Sequence, residues 1–232
     1  MKKSTLFSIL TIGVLIPATL YLGTHLHGRW YYLTATLVIL EAMQPFFFTF
    51  ESRKPQAREL VTIAVMAALA VAGRVAIPVP NFKAITGIVM LTGIAFGPQA
   101  GFMTGAISAF ASNFFYAQGP WTPWQMLAYG MGGFLAGLCF RKRAQNPWVD
   151  TLLHTVFAFV GVMVLVGPLL DACTIFTMSS TLSWKFAMTV LVAGMPHNLI
   201  HAGSCAVTVL LLSRPLLTKL DRLKSKYGML RN

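Results

Sequence analysis

Apolar residues in this chain come in long blocks rather than in alternation. The blocks cover 5–23, 30–50, 59–76, 84–96, 102–116, 126–140, 149–172 and 184–212. Several reach the roughly 18 residues that a helix needs to cross a bilayer. Backbone groups in lipid must be paired within the segment, and no strand-like alternation is present, so the pattern predicts eight helices and an all-α membrane protein. Pro17 predicts a kink in the first helix. Lys2 and Lys3 open that run like a signal peptide, but no small-x-small cleavage pattern precedes Arg29, so it is read as a retained helix.

The polar link 51–58, with Arg53, Lys54 and Pro55, separates an N-terminal helical pair, 1–56, from a six-run body, 57–213. A basic tail, 214–232, closes the chain. The fourth, fifth and sixth runs, 84–96, 102–116 and 126–140, are short. A helix of about 15 residues covers only ~22 Å, well under the ~30 Å hydrocarbon core. Joined by Pro/Gly loops, such helices predict a cavity opening outward beneath loops 78–83, 117–125 and 173–183; residues 97–101 read as a tight turn.

One run carries a second pattern. Ala64, Ala68, Ala72 and Ala76 recur every fourth residue, a strip of small side chains on a helix. In lipid such a strip lets another helix approach closely, either within the bundle or from a separate subunit. Arg74 lies on the same helix, and a charge at that depth needs a reason.

Composition bears on partners. The chain has 232 residues, 10% of them charged, with a net charge of +12. With the N-terminus cytoplasmic, Arg29, Lys83 and Lys185 fall outside, Arg74 lies in the membrane, and the other Lys and Arg fall inside. That is the positive-inside rule, with both termini cytoplasmic, and it explains the charge without nucleic acid. Cys139, Cys173 and Cys205 lack CxxC spacing and read as packing residues.

Polar groups gather on the outer side. The candidate ligand contacts are Arg74, Asn81, Phe82, Lys83, Asn113, Gln118, Trp121, Trp124, Gln125, Tyr129, Asp171 and His197. Aromatics with a few placed polar groups suit a small-molecule site. Alternatives stand beside this reading. Trp121 and Trp124 suit headgroup anchors, Arg74 and Asp171 suit an ion pair, and Asn113 suits a helix bridge. His197 and His201, four apart, have a spacing that can hold a metal, which leaves an intramembrane metalloenzyme as a rival, although HExxH is absent. Glu41 is assigned no role. No Walker A motif, GxSxG or inverted repeat is seen, which points to a binding protein without an engine or cofactor.

The run 57–74, ARELVTIAVMAALAVAGR, resembles the first core helix of the substrate-binding subunits (S components) of energy-coupling factor vitamin transporters. GIAFGPQAGFMTGA, 93–106, is similar to the next helix connection of that family, and QGPWTPWQM, 118–126, resembles a subset that includes cobalamin subunits. The resemblance implies a six-helix core preceded here by two extra helices, in the cell membrane. It implies a vitamin, cobalamin first, bound near the outer surface. Another vitamin or a nucleobase-like precursor is the alternative within the class. It also implies that Ala64, Ala68 and Ala72 dock on a transmembrane scaffold subunit. Two ATPase subunits would supply the energy, and the loaded subunit would topple in the bilayer.

Overall fold

The computed structural model describes residues 3–24, 30–77, 79–178 and 183–228. Among them the chain is helical, with no strands. The expected link with Arg29, Pro78, the segment 179–182 and the extreme termini lie outside the described residues, as do the side chains of Trp30 and Tyr31.

Among the described residues, eight rods follow in order. In α1, Lys3–Leu10 passes through a π-helical turn, Thr11–Leu15, into Ile16–Thr24. Next come α2 (Trp30–Ser52), α3 (Ala57–Val75), α4 (Ile85–Phe96), α5 (Pro98–Tyr116) and α6 (Trp121–Cys139). In α7, Pro147–Gly161 passes through a π turn, Val162–Val166, into Gly167–Met178; α8 is Trp184–Tyr227. Each π turn ends two residues before a proline, Pro17 or Pro168. The widened turn makes room for a ring that would otherwise strike the carbonyl four residues back. α1, α2, α7 and α8 are long and apolar enough to cross a membrane.

Several expected boundaries shift. α5 and α6 have 19 residues each, longer than their apolar runs. Each therefore spans about 28 Å. The turn at 97–101 shrinks to Gly97, whose φ of 92° suits only glycine. Pro98 opens α5 at the position where its missing N–H costs nothing. The loop 117–125 shrinks to 117–120, because Trp121 to Gln125 wind into the start of α6. The loop 173–183 is helical through Met178. The basic tail is no separate segment either: α8 continues to Tyr227, and Leu217 and Leu220 are buried in the core.

The bundle is built around α4. All twelve of its residues are buried, which is why it is apolar all round. It is wrapped by α3, α5, α6 and α8, while α7 packs on α8. Glycines seat α5 and α6 backbone to backbone. A methyl on Gly105 would stand 2.6 Å from the amide of Gly130, and Gly101 meets Gly133 as closely. The N-terminal pair lies against α5, α6 and α7 through Met43, Phe46 and Phe47, with Phe46 stacked on Phe102 at 4.1 Å. Glu41, which has no obvious partner in sequence, accepts a 2.7 Å hydrogen bond from Thr19.

A cavity over the buried helix

With 12 residues, α4 is shorter than its neighbours. A cavity of about 520 Å³ lies near its N-terminal end. The lining comes from six places: Arg74 of α3, the link residues Pro80, Asn81 and Lys83, Tyr116 of α5, Gln125 and Tyr129 of α6, Leu170 of α7, and His201 of α8.

The link is pinned from α8. The Ser204 hydroxyl accepts from the Lys83 amide at 3.1 Å and is 2.9 Å from the Lys83 carbonyl. Asn81 sits at φ 58°, with its amide 2.8 Å from Nδ1 of His197. That left-handed conformation is one asparagine tolerates. A donated amide hydrogen there makes the ring nitrogen the acceptor. Deeper in, Nε2 of His201 is 2.8 Å from Thr86 of α4, and its ring meets Tyr129 edge-on.

Arg74 is buried, with only 9% of its surface exposed. Its Nη1 donates to Ser112 and, at 2.9 Å, to Oδ1 of Asn113. The Asn113 amide then donates to Thr122 and Gln125, each at 2.9 Å. The guanidinium lies over Tyr116 at 4.9 Å and Tyr129 at 5.9 Å, and the Tyr116 hydroxyl donates to the Arg74 carbonyl. Ring faces of this kind attract a cation through their quadrupole. Lys83 lies 5.6 Å from the same Tyr116 ring and donates to the Ile77 carbonyl. α3, α5 and α6 are thus tied together around one cation.

Arg74, Asn81, Lys83, Gln125 and Tyr129 of the sequence candidates line the cavity. The others do not. Asn113 stands behind the wall and holds Arg74 and Gln125. Gln118 is spent on the Phe110 carbonyl and Thr122. Trp124 is buried against Phe176 in the packing of the N-terminal pair, and Trp121 is 41% exposed on the helix surface. Phe82 is half-buried beside the lining residues. Asp171 accepts from Asn198 at 2.7 Å, joining α7 to α8 rather than pairing with Arg74. His197 reaches Asn81, one step outside, while His201 takes the inner place. The two imidazoles therefore serve different partners, and among the described residues no group of three His, Cys, Asp or Glu could hold a metal.

Tyr116, Pro80, Leu170 and His201 are lining residues that the sequence candidates omit. His201 is visible through its spacing to His197, and Tyr116 lies one turn beyond Asn113. Leu170 carries no signal.

On α3, Ala64, Ala68 and Ala72 are exposed, flanked by Val61, Val65 and Leu69, which are likewise uncovered. The strip is not sealed within the chain's own described helices.

The family profile described as "ECF-type riboflavin transporter, S component" matches residues 54–218. A protein described as a UPF0397 protein, from Streptococcus gordonii, is 32% identical over 126 residues, covering 49% of this chain and 67% of its own. No solved structure matches. A family match over most of the chain, on an all-helical bundle with membrane-spanning helices, establishes a transporter component rather than an enzyme: the chain belongs to the S-component family of energy-coupling factor (ECF) transporters.

Proposed function

We propose that this chain is the capture subunit of an ECF importer and takes a vitamin-class molecule into the cavity beside Arg74. The observation that carries this is the use of α3 on both faces: one presents Arg74 to the cavity, and the other leaves Ala64, Ala68 and Ala72 bare. The cavity end faces outward and both termini lie in the cytoplasm, because the Lys and Arg residues concentrate at the opposite end. The alanine strip docks on a transmembrane scaffold subunit, two ATPase subunits supply the energy, and the loaded chain topples to release its cargo inward.

The loop resemblance proposes cobalamin as cargo. The cavity volume of about 520 Å³ suits a drug-sized ligand. A corrinoid is several times bulkier and requires the loops over the cavity to part. Riboflavin, which the family description names, is the more compact cargo. Mass spectrometry of small molecules retained by the purified chain decides. A corrinoid supports the first cargo and a flavin-sized compound the second; stoichiometric zinc with no organic ligand overturns the reading.

A further inference from the structure

The described lining of the cavity holds two cations and no acid. Its ionisable residues are Arg74, Lys83, Tyr116, Tyr129 and His201. Nη1 of Arg74 donates to Ser112 and Asn113 and the guanidinium lies over two ring faces, but all of these are neutral, so its charge stays uncompensated in a nine-tenths buried position. Lys83, half-buried in the link, likewise has no acid among its partners, which are a carbonyl, the Tyr116 hydroxyl and the ring it shares with Arg74. Asp221 is paired elsewhere, with Arg143. Asp171, the acid one residue from the lining Leu170, is turned to Asn198. Among the described residues no side chain caps the start of α4, two residues after Lys83. The positive end of that helix dipole therefore adds to the same potential.

A charge at membrane depth without a counter-charge is costly to maintain, and such charges mark substrate sites. Here neither the described lining nor the groups behind it supply the missing negative charge. We infer that the captured molecule is an anion whose carboxylate or phosphate seats between Arg74 and Lys83. This rests on the capture reading above. Asn81 and Gln125 then read its neutral polar groups, and Tyr129 offers a ring face to its planar part.

The test uses matched ligands that differ only in the anionic group. These are riboflavin 5′-phosphate against riboflavin, nicotinate against nicotinamide, and pantothenate against panthenol. Equilibrium binding is measured on the full chain in nanodiscs of zwitterionic lipid. In any pair that binds, the anion binds at least ~10-fold more tightly, the step expected of a charge-assisted contact. Lys83→Met reduces that preference to less than about threefold, whereas Lys83→Arg, which keeps the charge, retains it. Equal or tighter binding by the neutral member overturns the inference and leaves the capture reading standing. Failure of all three pairs to bind also overturns the inference, while the capture reading stands or falls separately on the molecule retained by the purified chain.

Discussion

The two faces of α3 share one backbone and one length but answer to different surroundings. On the inward face, Ile63, Met66, Ala67 and Ala70 are buried, and Arg74 ends the row at the cavity. On the outward face, Ala64, Ala68 and Ala72 lie open between larger residues. Small side chains inside a bundle are explained by packing. The same side chains facing lipid bury nothing and gain nothing, because lipid tails are as apolar as any side chain. On the proposed reading the open strip is the surface that a partner backbone approaches, and the cation on the far side is the one that meets the ligand. One helix carries both the cavity cation and the alanine strip.

This contrast can be broken from either side. The largest effect is expected from Ala68→Trp. An indole on the strip keeps a partner helix from close approach, so co-purification with scaffold and ATPase subunits should be lost, while ligand affinity of the solitary chain stays within about twofold. Unchanged pull-down would return the strip to mere lipid contact. Second is Arg74→Met, which removes the cavity's buried cation and strands Ser112 and Asn113. Ligand affinity should fall about 100-fold, or roughly 2.7 kcal/mol, with scaffold pull-down intact. A loss of complex alongside would show that the two faces are not separable. The two tryptophans differ in stability rather than in ligand binding, where both effects are the smallest. Trp124→Ala opens a hole against Phe176. It should cost ~3–5 kcal/mol of stability, seen as a lower Tm. Trp121→Ala, on the exposed surface, should leave both Tm and ligand affinity near the parent's. A ligand effect from Trp121 alone would place the cavity mouth nearer the helix surface.

Much of this is legible in the sequence, and the exceptions have physical causes. The eight rods follow from block hydrophobicity, and the outward alanine strip from its spacing. The lengths of α5 and α6 are hidden because Pro98 and the Trp-Thr-Pro-Trp stretch look like loop residues, yet a proline at a helix start is favourable. Asp171 stands out in the sequence where Leu170 lines the cavity. The π turn at Val162–Val166 inserts extra backbone and rotates everything after it, which a regular helical count cannot anticipate. His197 stands out ahead of His201 because nothing in the sequence says that Asn81 folds back to occupy it. The roles of Asn113 and Ser204, which hold other residues rather than touch the cavity, depend on contacts between distant segments and leave no local pattern.

The central claim is that this chain captures but does not drive. The direct test is uptake of the retained ligand into sealed vesicles holding the purified chain, alone or with its scaffold and ATPase subunits. The account predicts no accumulation by the chain alone and ATP-dependent accumulation by the full set, abolished by Ala68→Trp. Accumulation above the outside concentration by the solitary chain would contradict it.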